Sequence, residues 1–112
     1  DAARAALRDV FEYAQKPILR KQADYQLAMI EKSAGNLKKA LAALQRIVLL
    51  TDPAADELRP VLAKSHLESI ELYKKLDQHD DVVEACNRYL EEFPQGDRVA
   101  EVREIRQEAR LK

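Results

Sequence analysis

Apolar side chains recur at helical spacing along the whole chain. In the first segment Ala3, Leu7, Val10 and Ala14 fall three or four residues apart, which is the period of one face of an α-helix. Similar stripes follow, and no stretch alternates as a half-buried strand does. The pattern predicts an all-α fold of about six helices, over residues 2–16, 17–34, 37–50, 60–76, 82–93 and 97–111.

Glycine, proline and short polar residues mark the predicted helix ends. Pro17 suits the first turn of a helix, where its missing N–H is not needed. Gly35 is expected to end the second helix in the left-handed conformation, and Asn36 to cap the third. Asp52 and Asp97 are further candidates for capping residues.

Pro60 is the proline that fits least easily. Inside a helix it would remove one hydrogen bond and clash with the preceding turn, at a cost of roughly 3 kcal/mol. We therefore expect residues 53–59 to form one short turn and a new helix to start near Pro60. The alternative is a helix that runs on from Pro53 and kinks at Pro60.

Two segments of the chain match each other and indicate an internal repeat. Residues 34–48 align with residues 76–90, and the turn pair Gly35-Asn36 meets Asp77-Gln78. Neither helical hairpin can bury both of its apolar faces alone, so stacking would have to supply the core. Apolar residues meet at Ala34/Leu76, Ala40/Val82, Leu41/Val83, Leu44/Cys86, Ile47/Tyr89 and Val48/Leu90.

These positions resemble the tetratricopeptide repeat family. The first copy carries Leu27-Ala28, Gly35, Ala40 and Pro53, and the second carries Tyr73, Val82, Tyr89 and Pro94. The stretch from Asp80 to Gly96 is similar to repeats of bacterial cell-envelope proteins. The resemblance implies antiparallel hairpins stacked as a right-handed solenoid, in one domain over residues 1–112. Its parts would be the second helix of a partial repeat (1–16), repeat one (17–53), repeat two (54–94) and a capping helix (97–111).

In that family the first helices of successive repeats line a concave groove that binds a peptide or a partner protein. The resemblance therefore implies a groove from both copies, with Tyr25, Met29 and Leu67 as its apolar members. The alternative for Met29 and Leu67 is that they belong to the apolar core face of their helices and line no groove. The full set is Gln22, Tyr25, Gln26, Met29, Lys32, Ser33, Lys64, Leu67, Glu71, Lys74 and Lys75.

The composition argues against most kinds of catalytic, phosphate-binding and metal-binding site. Two glycines cannot build a phosphate-binding loop, and one cysteine cannot build a disulfide framework or a cysteine-rich zinc site. His66 and His79 lie in no metal-binding pattern, so we expect a partly exposed His66 and a turn residue at His79. Cys86 falls on an apolar face and is expected to be a buried core residue. We therefore expect no enzyme, no metal and no cofactor.

Charge is balanced overall but not along the chain. The net charge is −1, yet residues 16–50 hold seven basic and two acidic residues, and residues 51–94 hold five basic and eleven acidic ones. This bipolar pattern either keeps the protein soluble or orients a bound peptide. Only Tyr25 accompanies the basic stretch as a stacking aromatic, which argues against nucleic acid. No apolar run is long enough for membrane insertion.

The leading hypothesis is a non-catalytic scaffold that binds a peptide or partner protein. The alternatives are a self-assembly module that stacks through its charged ends, with a second copy as partner, and a helical accessory domain of a larger enzyme or regulator. The chain begins at Asp1 rather than at Met, so we expect a mature or trimmed product. The single cysteine does not show whether the protein belongs to the bacterial periplasm or cell envelope, or to the cytoplasm.

Overall fold

The computed structural model describes residues 16–112, and every regular element among them is a helix. The prediction of an all-α protein is confirmed for these residues, while the helix predicted over residues 2–16 falls almost wholly outside them. The elements are α1 (Pro17–Ser33), α2 (Leu37–Leu50), a short 3-10 helix (Asp56–Leu58), α3 (Arg59–Lys75), α4 (His79–Glu92) and α5 (Val99–Arg110).

The helix bounds repeat with the same offset as the sequence. The helix α1 has the same length as α3, and α2 has the same length as α4. In the alignment that pairs Ala34 with Leu76, both ends of each helix in the first hairpin fall on the ends of its counterpart. Several buried positions on the second helices also correspond, such as Leu44 with Cys86 and Ile47 with Tyr89. The sequence match therefore reflects two helical hairpins of equal dimensions.

A left-handed residue ends α1 as predicted. Gly35 has a φ of 83° and its N–H donates to the carbonyl of Lys32 at 3.0 Å, while the N–H of Asn36 donates to Glu31 at 2.9 Å. These two bonds define a Schellman turn. They satisfy carbonyls that the end of a helix would otherwise leave unpaired.

The turn after α3 has the same hydrogen bonds with a different residue in the left-handed position. Asp77 has a φ of 56°, its N–H donates to Lys74 at 3.1 Å, and the N–H of Gln78 donates to Tyr73 at 3.0 Å. Asp77 therefore adopts the left-handed conformation at the position equivalent to Gly35, although it has a side chain.

Three predicted caps are wrong in detail. Asn36 occupies the position before α2, but its amide donates to the Glu31 carboxylate at 3.1 Å instead of capping the helix. Asp52 accepts from the N–H of Ala54 at 2.9 Å and closes a local turn, because no helix starts at residue 53. Asp97 lies one residue too early, since α5 begins at Val99.

The interpretation of Pro60 is confirmed. The chain makes a turn and a 3-10 helix after α2, and α3 begins one residue before Pro60. A proline in the first turn of a helix breaks no hydrogen bond, so α3 carries it without a kink.

The chain packs as two compact units, divided between Ser65 and His66. In the N-terminal unit α1 packs against α2 and contacts the 3-10 helix, and the short turn between α1 and α2 makes them antiparallel. Its core is Ala23, Ala28, Ala40, Leu41, Ala43, Leu44, Ile47, Val48, Leu58, Val61 and Leu62.

In the C-terminal unit α4 packs against α5. The two helices are also joined by an exposed hydrogen bond, in which the Arg106 guanidinium donates to the side-chain oxygen of Asn87 at 2.8 Å. Its apolar core contains Ile70, Leu72, Val82, Ala85, Cys86, Tyr89, Phe93 and Val102. The outer face of α5 is charged, as the sequence pattern indicates.

Candidate binding surface

The residues predicted to line a groove lie at the protein surface. Six of them share one side of α1, where spacings of three and four residues bring them into line. Tyr25, Met29 and Lys32 are half-buried, and the other three are exposed or nearly so. We call this set the α1 face: Gln22, Tyr25, Gln26, Met29, Lys32 and Ser33.

The structure brings together two predicted residues from different repeats. The ammonium group of Lys64 on α3 lies 5.9 Å from the centre of the Tyr25 ring on α1. A cation over an aromatic face is attracted by the ring's quadrupole, by about 0.5–1 kcal/mol at an exposed site. Lys64 therefore extends the α1 face within the N-terminal unit.

The remaining predicted residues belong to the C-terminal unit. Leu67 and Glu71 are half-buried on α3, and Lys74 and Lys75 lie at its more exposed end. In the repeat alignment Leu67 occupies the position equivalent to Tyr25, and Glu71 the position equivalent to Met29. The two copies therefore present different chemistry at matching positions.

The expectation of a partly exposed His66 is wrong, because the residue is only 1% exposed. Its Nε2 lies 2.6 Å from Oε2 of Glu92 on α4. Burial lowers the pKa of His66, and the Glu92 carboxylate offsets part of this effect. The neutral ring therefore donates its Nε2–H to the carboxylate.

An aromatic pair closes the site around His66. The Tyr89 and Phe93 rings stack with centroids 5.4 Å apart, and both meet the imidazole edge-on, at 6.4 and 6.0 Å. A Cβ at Gly96 would lie 2.5 Å from the Tyr89 hydroxyl and 3.1 Å from the Phe93 carbonyl. The imidazole of this histidine–carboxylate pair is thus packed in the core, while the Glu92 side chain is 27% exposed.

The sequence contains a signal for this pair that the prediction missed. His66 lies four residues after Leu62 and four before Ile70, and both of these neighbours are buried. The helical period therefore places His66 on the core stripe of α3. A buried imidazole needs a polar partner, which Glu92 provides.

Cys86 is buried as predicted. Burial raises the pKa of its thiol to about 11, so the group is neutral at physiological pH. Among residues 16–112 no group of three or more potential ligands could hold a metal ion, and no helix there is long and apolar enough to cross a membrane.

Comparisons with known proteins identify no relative of this chain. No protein-family model matches the sequence, and no match was found among the curated proteins or the solved structures. The likeness to tetratricopeptide repeats therefore stays a resemblance, carried by residues such as Gly35 and Ala40.

Proposed function

We propose that this protein is a non-catalytic helical repeat module that binds a peptide segment of a partner protein on the α1 face and Lys64. The observation that carries the proposal is the contact between Tyr25 and Lys64, which unites predicted binding residues of both hairpins on one accessible surface.

The chemistry of this surface suits a peptide. Tyr25 and Met29 are half-buried and offer adaptable apolar contact, since a tyrosine adds a polar hydroxyl and a methionine side chain is flexible. Gln22 and Gln26 carry amides that can both donate to and accept from a peptide backbone. Lys64 adds positive charge, which favours a peptide with acidic residues.

The equal hairpins support a scaffold role. Two hairpins with the same helix lengths and the same Schellman turns present repeated helix faces. In repeat proteins such faces form extended binding surfaces. His66 and Cys86, whose residue types can act in catalysis, are both packed among core side chains here.

Binding is tested with peptides selected on the full chain from a random display library. We expect Tyr25→Ala, Met29→Ala and Lys64→Glu each to weaken a selected peptide by about tenfold, as loss of roughly 1.4 kcal/mol would. Affinity is measured by fluorescence anisotropy, with circular dichroism to show that each variant is folded.

Two substitutions away from the α1 face serve as matched controls. Lys38→Glu on α2 makes the same charge change as Lys64→Glu, and Leu111→Ala after α5 shortens an exposed apolar side chain where Met29→Ala shortens a half-buried one. If these controls weaken binding while the three variants at Tyr25, Met29 and Lys64 do not, the proposed surface is wrong. If the library yields no peptide that binds, the peptide-binding function itself is wrong.

A further inference from the structure

The N-terminal unit contains a second surface, a cleft on another side of α1. It lies between the start of α1 and the end of α2 and encloses about 420 Å³. At roughly 100° per residue, Arg20 and Asp24 lie about 140° and 100° around α1 from Tyr25, while Lys21, one turn before Tyr25, lies between the cleft and the α1 face. The lining residues are Pro17, Arg20, Lys21, Asp24, Arg46 and Leu50.

The two hairpins differ at two equivalent buried positions. In the second hairpin the rings of Tyr89 and Phe93 lie beside His66. Their counterparts in the first hairpin are Ile47 and Thr51, which have smaller side chains and are both buried. The position equivalent to His66 is Asp24, a half-buried residue that lines the cleft.

The charges of the cleft favour an anionic ligand. Among residues 16–112, the lining of the cleft includes three cations, Arg20, Lys21 and Arg46, and one carboxylate, Asp24. The ammonium group of Lys21 also donates to the Leu50 carbonyl at 3.4 Å, which holds it at the end of α2. Arginine presents a planar fork of donors that matches a carboxylate in two parallel hydrogen bonds.

The cleft also has an apolar wall. Leu50 lines it and is 69% exposed, and the neighbouring Leu49 is 65% exposed. Single exposed leucines are ordinary on a protein surface, but two in succession beside a cationic cleft are typical of an interaction site. A ligand that fits must therefore combine carboxylates with apolar side chains.

We propose that this cleft binds an acidic amphipathic helix of a partner protein, with an apolar side chain of that helix against Leu50 and its carboxylates at Arg20 and Arg46. An amphipathic helix meets both requirements, because it carries apolar and charged side chains on adjacent sides. This site is separate from the α1 face and does not depend on the peptide-binding function proposed above.

The test uses a synthetic helical peptide with leucines along one face and glutamates on either side, and a second peptide with lysines in place of the glutamates. We expect the acidic peptide to bind the full chain at about 50 mM salt and to weaken at about 500 mM, where charges are screened. The lysine peptide should not bind. Fluorescence anisotropy measures both.

Variants locate the binding on the protein. Arg46→Glu and Leu50→Asp should each weaken the acidic peptide by about tenfold. Arg103→Glu and Leu111→Asp make the same changes at exposed sites on and after α5 and should leave binding unchanged. Tyr25→Ala should also leave it unchanged, which separates this site from the α1 face.

Several results would overturn the proposal. Absence of binding at low salt, equal binding of the lysine peptide, or equal losses in the control variants would each do so. If the protein alone dimerises in sedimentation and Leu50→Asp abolishes the dimer, the occupant is a second copy. If a synthetic peptide of residues 1–15 binds in place of the acidic probe, the occupant is that segment of the chain.

Discussion

At the residue scale, two positions show how a side chain's surroundings decide its role. The helical stripe was sufficient to place Cys86 in the core, and the structure agrees. His66 also falls on such a stripe, yet its polar residue type argued for exposure, and only the position of Glu92 across the hairpin explains its burial. A partner on the next helix is not visible in local periodicity.

Asp77 and Gly35 allow a direct test of backbone conformation. Both adopt a positive φ at the same point of the Schellman turn, a conformation that costs a residue with a side chain roughly 1–2 kcal/mol, and less for a short polar residue such as Asp. We expect Asp77→Gly to raise the free energy of unfolding by about 0.5–1 kcal/mol. Urea denaturation measures the change.

The reciprocal substitution is the control. A Cβ at Gly35 would meet nothing within 4 Å, so Gly35→Asp adds no clash and should lower stability by about 1 kcal/mol through backbone conformation alone. If Asp77→Gly destabilises the protein, interactions of the aspartate side chain outweigh its strain.

At the element scale, glycine, proline and the apolar stripe predict the helices well. The ends of α1 and α2 follow from Pro17, Gly35 and the polar turn, and the start of α3 follows from Pro60. The side-chain caps at the helix N-termini were less predictable, because a capping side chain can form its hydrogen bond with another group instead of the helix end. The Asn36 amide instead donates to the buried Glu31 carboxylate five residues earlier, a local contact that the capping pattern does not predict.

The close approach of α1 and α2 gives a prediction for Ala40. This alanine is fully buried, so Ala40→Leu adds bulk where there is no space and should destabilise the protein by about 1–3 kcal/mol. Ala42→Leu, on the exposed side of the same helix, should change stability little. Equal melting temperatures for the two variants would contradict this packing.

At the scale of the whole molecule, the sequence predicted an all-α chain with two matching hairpins but could not predict what binds to it. The charge difference between residues 16–50 and 51–94 was visible from the start. The cleft beside Leu50 was not, since it depends on how the start of α1 lies beside the end of α2. Such a space becomes apparent only in three dimensions.

Global stability should depend on pH through His66. Because burial lowers the pKa of His66 below 6.5, the unfolded chain binds the proton more readily than the folded one. Stability is therefore full above about pH 6.5 and falls as the pH drops through 6.5 towards the folded-state pKa. The slope is at most about 1.4 kcal/mol per pH unit.

His66→Gln removes this titration. Urea unfolding at a series of pH values from about 7.5 to 5.5 should show the stability gap between wild type and variant shrinking as the pH falls. His79→Gln replaces the other histidine and serves as the control. A gap that stays constant across this range would show that His66 binds a proton equally well in both states.

The matching turns have a consequence for how such a chain can change length. A genetic exchange that joined Asn36 directly to His79 would remove one complete repeat, yet a Schellman turn would still be followed by the first residue of a helix. The reverse exchange would add one complete hairpin. An exchange at these turns leaves every remaining helix intact, whereas one residue added or lost inside a helix would rotate the apolar positions after it by about 100°.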